Sequence, residues 1–320
     1  MIRRKALLLL AATAPLGQLA LAQEMWPSKP IKLVVPYPTG GLVDALARQV
    51  GRILEKDLGQ PVVVENRPGA ASNIGSDYVA KAAPDGYTFL LGSSANAVNM
   101  GLYKNLPYDT LRDFAAITIL ADVPNVLVVS TGFPPKTVKE MISYVSERKN
   151  QVAYASSGAG SPAHLAAVAF ERATGTEMRH VSYKGAPPAV ADMMGGHVPL
   201  MFTNLAAVLP GLQSGKLRLL GVGSAKRWPG LPDVPAIGET VPGYVATAWY
   251  GLMAPKGTPA AVLDRLQKAL AGVREPASLE ATRKLGAEPV VSTAAEMTKR
   301  LEADVREYAK LIKSSGITVD

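Results

Sequence analysis

Short apolar strands alternate with amphipathic helices along almost the whole chain, and that rhythm restricts the fold more than any other feature. "IKLVV" (31–35) predicts a strand, and Val43, Ala47, Val50 and Leu54 then recur at helical spacing. "PVVVEN" (61–66) predicts a second strand, Ile74 to Ala82 a helix that stops before Pro84, and "YTFLLG" (87–92) a third strand. The pattern restarts after "DVPNVLVVS" (122–130). A helix near 137–149, strand "VAYASS" (152–157), a helix from Pro162 to Ala173, strand "MRHVSY" (178–183) and a short helix through Met194 follow. Strand "VPLMFTN" (198–204), a helical piece and strand "LRLLGVGS" (217–224) complete this set. A proline-rich passage (227–243) leads into "YVATAWYGLMAP" (244–255), and helices near 259–274 and 294–314 close the chain.

Strands alternating with helices imply βαβ units, parallel sheet and right-handed crossovers, hence the α/β class. Two lobes are the economical arrangement. The first three strands lack helical cover and the closing helices need a sheet to cover. The C-terminal part is therefore expected to return to the first lobe, giving lobe 1 as 23–121 plus 246–320 and lobe 2 as 122–245. Strands near 120–130 and 244–254 would then cross between the lobes as a hinge.

Residues 1–22 read as a secretory leader: Arg3, Arg4 and Lys5, an apolar stretch broken by Pro15, Gly17 and Gln18, then Ala20-Leu21-Ala22 before Gln23. General secretion fits better than twin-arginine export, and cleavage near Ala22 would release the protein into the periplasm. Removing that leader, with three bases and no acid, takes the formal charge from +8 to +5. The remaining excess is spread out and broken by acids, unlike a nucleic-acid footprint. With no cysteine there is neither a disulfide framework nor a lipid anchor, so ordinary cores must hold the fold.

In open parallel sheets, ligands bind beyond the carboxyl ends of the strands. The first strand runs into "PYPTGG" (36–41), six residues without lysine, arginine or histidine, before a helix starts. Paired glycines at a helix start expose N–H groups that suit an anion. The third strand ends in "GSSANAVN" and the second set offers "SSGAGSPAHL", "VSYKGAPP" and "MFTN", all small or rich in neutral donors. One carboxylate pinched between two facing helix starts would need no lysine. The glycines also have a plain reading as tight-turn residues, and the serines as caps. Asp44 in the first turn complements the helix dipole.

Other chemistries fit less well. "GAGSPA" matches G-x-G-x-x-A, but the acidic residue of a dinucleotide site is missing after the next strand. Ser161 lacks the G-x-S-x-G elbow, which leaves an exported serine hydrolase using Ser161 and His164 as the alternative function. His164, His180 and His197 show no metal-ligand spacing. No cofactor and no metal are expected.

Ordered motifs across the chain resemble the Bug (TctC-like) extracytoplasmic solute receptors of tripartite tricarboxylate transport systems. They are "WPSKPIKLVVPYPTGGLVDALAR", "VVVENRPGAASNIGSDYVAKAAPDGYTFLLG", "LPYDTLRDF", "GSPAHL", "VSYKGAPPAVADMMGGHV", "SGKLRLLGV", "RWPGLPDVPAIGE" and "WYGLMAPKGTP". The resemblance implies a two-lobed periplasmic-binding-protein (Venus flytrap) fold with two parallel-rich sheets and hinge-crossing strands, closing on a carboxylated solute without catalysis. It implies a grip by Tyr37, Thr39, Gly40 and Gly41 facing Ser157, Gly158, Gly160 and Ser161, with Ser93, Ser94, Tyr183, Gly185 and Asn204 lining the remainder. One departure is "PYPTGGLVD", where relatives commonly carry a small or aromatic residue at Thr39 and a serine, threonine or proline at Val43 before the aspartate. The implied partners are a small carboxylic acid and either membrane permease subunits or a sensor kinase domain. A monomer is expected.

Overall fold

Strand β1 (Ile31–Val35) is buried on both faces, as a strand inside a parallel sheet must be. It pairs in parallel with β2 (Val62–Asn66) and β3 (Thr88–Ser93). The computed structural model describes residues 26–319, so the leader and its cleavage point lie outside the described residues. Helix α1 (Leu42–Leu58) lays Val43, Leu46, Ala47, Val50 and Leu54 on one face of this sheet, beside α8 (Ala260–Ala269). The other face carries α2 (Asn73–Ala80), α3 (Ser94–Leu102) and the long α10 (Ala294–Ser315), which bury Val34, Leu90, Trp249, Met297 and Leu301. The closing helices thus return to the first three strands.

The outward crossing lies within one strand, β4 (Phe114–Ser130), and the chain returns beside it, where Asn125 N–H donates to Ala246 O at 2.9 Å. Residues 114–124 of β4 pair antiparallel with β9 (Thr247–Pro255), and 125–130 pair with β7 (Leu200–Asn204) and β8 (Leu217–Val222). Strands β5 (Ala153–Ser156) and β6 (Arg179–Ser182) add in parallel beyond β7. The two expected sheets are therefore halves of one sheet, in the order β2-β1-β3-β9-β4-β7-β5-β6. Alternation along β4 serves both faces of its second half. Leu127 and Val129 pack under α4 (Val138–Glu147) and α5 (Pro162–Thr174), whereas Val126 and Val128 pack under α6 (Ala186–Met194) and α7 (Leu205–Gln213).

Several elements differ from the sequence reading. β4 begins at Phe114, before the expected run, and its first half, rich in alanine and threonine, is largely buried beside β9. β3 passes directly into α3 where a polar loop was expected. The helix "SANAVNMGL" hides its period because its inward positions are amides. Asn96 accepts from the Ser93 N–H (2.9 Å) and donates to Ser76 Oγ (2.9 Å), while Asn99 donates to Asn73 Oδ1 (2.7 Å). Helix α9 (Pro276–Lys284) and the two-residue strand β10 (Glu288–Pro289) were not anticipated.

One further cluster spans the joint. Val98 and Leu102 of α3 meet Leu165 of α5 and Leu311 and Ile312 of α10 in an apolar seam. Among the described residues no helix is long and apolar enough to cross a membrane.

Candidate functional site

Strand register sets the site. Ser93, the last residue of β3, lies level with Tyr250 of β9, which lies level with Ala121 of β4. Asn204, the last residue of β7, lies level with Asn125 of the same strand. β3 points toward the second half and β7 toward the first. Four residue steps along β4, from Ala121 to Asn125, separate the two ends, about 13 Å at 3.3 Å per step. With β1 parallel to β3, and β5 and β6 parallel to β7, five carboxyl ends face one another across the hinge. The helices α1, α3, α5, α6 and α7 all start there.

These five starts are not equivalent. Ser93 caps α3 through its Oγ, completed by Asn96 in a capping box; Ser161 Oγ accepts from His164 N–H and Asn204 Oδ1 from Ala207 N–H. Helix α6 has no side-chain cap, yet Pro187 and Pro188 in its first turn carry no N–H. Only α1 combines an uncapped start at Gly41 with a proline-free first turn. Its leading N–H groups have no intrahelical partner, and they are the donors left for an anion.

The turn before α1 is pinned from behind. Asp44, 5% exposed, accepts from Gly40 N–H (3.1 Å), from the Arg48 guanidinium (both 3.0 Å) and from Asn66 Nδ2 (3.1 Å). Asn66 also donates to Tyr37 O (3.0 Å). The hydrogen bonds from Arg48, more than those from Gly40 and Asn66, hold the Asp44 carboxyl below its usual range. Tyr37 meets Ser93 hydroxyl to hydroxyl at 2.7 Å and packs edge-on against Tyr250. Burial pushes its phenol up. Thr39 is exposed on this turn.

The facing turn is likewise braced from within. Gly158 N–H donates to Ser156 Oγ (3.2 Å), Ser161 N–H to Gly158 O (3.2 Å), and Gly160 N–H to His164 Nδ1 (3.0 Å). Gly185 N–H donates to Ser157 O (3.2 Å), tying two strand ends together. Ser94 borders a cavity of about 40 Å³ with Asn125, Pro162 and Ala246.

The geometry corrects the expected donor set. The N–H groups of Gly40, Gly158, Gly160 and Gly185 are engaged inside the protein, so these glycines shape turns rather than donate. Gly40, Gly158, Gly160 and Gly185 all have positive φ, between 70° and 138°, which is the reason for glycine there. Tyr183 turns its hydroxyl to Asp192 (2.7 Å), and burial with this acidic partner pushes its phenol up to about 12. Asn66 and the brace role of Asp44 were missed. An asparagine ending a strand beside a glycine turn was the available signal. Ser161 Oγ is capped onto the His164 backbone, and the His164 ring is turned to Gly160, so the pair is not a nucleophile with its base. Among the described residues no cluster of metal ligands occurs.

Comparison with known proteins gives a consistent set. Residues 46–317 match the model described as tripartite tricarboxylate transporter family receptor. Protein BugT of Bordetella pertussis is 37% identical over 300 residues, 92% of each chain. A Rhodopseudomonas palustris protein solved with adipate superposes with a TM-score of 0.79 at 37% identity, covering 92% of this chain and 99% of that one. MatC from the same organism, with bound malate, gives 0.74 at 28% identity, covering 90% and 100%.

Proposed function

The chain belongs to the tripartite tricarboxylate transporter receptor family, a family of solute-binding receptors rather than enzymes, with the two-lobed periplasmic-binding-protein fold, and from that premise we propose that it captures a small carboxylated metabolite between its lobes in the periplasm. The observation that carries this reading is the bare start of α1, which follows a strand end directed toward the second half of the sheet. Relatives solved with adipate and with malate support a carboxylate as the ligand class.

The lobes are read as 23–121 plus 246–320 and 122–245, hinged where β4 and β9 meet. A ligand that touches both lobes when they are closed, and one when they are open, shifts the equilibrium toward closure. The closed monomer would be read by membrane permease subunits for uptake or by a sensor kinase domain. Leu42 and Val43 N–H groups, Gly41 and Thr39 would seat one carboxylate oxygen pair, with Ser157, Ser161, Ser94 and Asn204 completing the cleft.

A thermal-shift screen of mono- and dicarboxylic acids tests the ligand class. At a hundredfold excess over Kd, a true ligand adds about 2.7 kcal/mol of stability. If every acid leaves the melting curve unmoved, while an uncharged solute raises it, the carboxylate reading is wrong. Asp44→Ala should loosen the turn and weaken the best acid about tenfold, the scale of one hydrogen bond to a charged group. Calorimetric affinities of parent and variant check this.

A further inference from the structure

The three aromatic rings behind the second turn form a stack. Tyr154 of β5 lies 5.0 Å from His180 of β6 at 22°, and His180 lies 3.9 Å from His164 of α5 at 12°. Each imidazole then reaches one end of the turn. His180 Nε2 meets Ser156 Oγ at 2.6 Å, and that oxygen also accepts from Gly158 N–H. His164 Nδ1 accepts from Gly160 N–H at 3.0 Å. Because Nδ1 accepts, the His164 hydrogen sits on Nε2.

We propose that His164 and His180 are positioning residues that hold the 156–161 turn in its ligand-ready shape, and that His164 does so only as an uncharged imidazole. A protonated His164 carries hydrogen on both nitrogens and has no acceptor left for Gly160. Two stacked rings 3.9 Å apart also cannot both carry charge without strong repulsion. This inference rests on the ligand cleft proposed above, but it concerns the turn itself.

The surroundings favour the uncharged state. Burial, with His180 adding to it, lowers His164 from 6.5 to about 4, and burial lowers His180 as well. The groups facing His164 are the phenol of Tyr154, His180, Glu171 and Arg172 on its own helix, and Glu177 ahead of β6. Burial raises the Glu171 carboxyl, which softens any attraction it could offer an imidazolium. At the end of α10 and just past it, residues 314–317 line the same open cavity of about 660 Å³ and carry no charge. Protons reach the stack through it.

The sign follows from the depressed value. A released, solvated His164 binds its proton near 6.5, whereas the ordered turn resists protonation until about 4. Order in the turn is thus fully supported above pH 6.5 and is lost as pH falls from there toward 4.

The test uses the mature chain and two variants, with calorimetry against malate and adipate from pH 7.5 to 4.5. His164→Asn keeps an acceptor but does not titrate; His164→Phe keeps the stack but accepts nothing. At pH 7.5, H164N should bind within threefold of wild type and H164F at least thirtyfold more weakly. Toward pH 4.5 the parent should lose at least fivefold more affinity than H164N. Protonation of the acids affects both proteins alike, so it drops out of that ratio. Imidazole nitrogen NMR of the ligand-free protein should show His164 protonated at Nε2, with slow exchange of the Gly160 amide that H164F abolishes. Equal binding by H164F, or a proton on Nδ1, overturns the inference while leaving the cleft standing. If wild type binds neither acid, the ligand reading fails for these acids, and the NMR result still decides the turn.

Discussion

A receptor carrying Gly41→Val is expected to fold as well as the parent and to lose its ligand. Gly41 has φ −84° and ψ 174°, a conformation open to any L-residue. A Cβ built there meets only Pro38 O, at 4.0 Å. Valine also restricts the unfolded chain more than glycine does, which offsets minor crowding. Its methyl groups would nevertheless stand at the mouth of the α1 turn, where an anion must approach the backbone. Kd for the best carboxylic acid should rise at least a hundredfold, about 2.7 kcal/mol, with the melting temperature within about 2 °C of the parent. Calorimetry giving unchanged affinity for a folded variant would remove α1 as the seat. Gly160→Ala makes a useful contrast. Its φ of 70° and a Cβ 2.5 Å from Leu102 Cδ2 predict damage to the fold as well as to closure.

Trp249→Ala should produce the largest loss of stability. Trp249 is fully buried on β9 in the cluster that joins β1, β3 and α10. Its Nε1–H donates to Asp304 Oδ2 at 2.7 Å, and Asp304 also receives Arg300 at 3.0 Å. Removing the indole leaves a large cavity beneath α10, at about 3–5 kcal/mol. Trp249→Phe fills most of that space and loses chiefly the hydrogen bond to a carboxylate, about 1.5–3 kcal/mol. Urea unfolding midpoints of the two variants separate the contributions. An alanine variant within 1 kcal/mol of the parent would mean that α10 is not held by this residue.

Much of this architecture was legible from period and punctuation. The strands of the βαβ pattern emerged because short runs of Val, Ile and Leu look alike whether buried on both faces, as in β1, or partly exposed at the edge, as in β2, and α1 because its apolar stripe is complete. Helix α3 was not legible, since Asn96 and Asn99 do the packing that leucines do elsewhere, and that exchange works only with Ser76 and Asn73 in place. β4 was half visible because its first half, "FAAITILAD", mixes alanine and threonine into the apolar run although most of it is buried. Among the candidate residues, the sequence located both turns but not the direction of their hydrogen bonds. Glycine at 40, 158 and 160 looks the same in a string whether its N–H faces a ligand or an aspartate, serine or histidine of its own fold. The brace formed by Asp44 and Asn66, 22 residues apart, depends on β2 lying beside β1. No local pattern carries that adjacency.

The apolar seam of Val98, Leu102, Leu165, Leu311 and Ile312 has a consequence for how the empty receptor behaves. Parting the lobes would return those side chains to water, at about 25 cal/mol for each Å² uncovered. Where opening uncovers the seam, that cost biases the unliganded protein toward the shut form before any solute arrives. A seat that is already assembled part of the time forfeits less apparent affinity than one built afresh at every encounter. Polar replacements along the seam would make the receptor seem a poorer binder with every donor still in place.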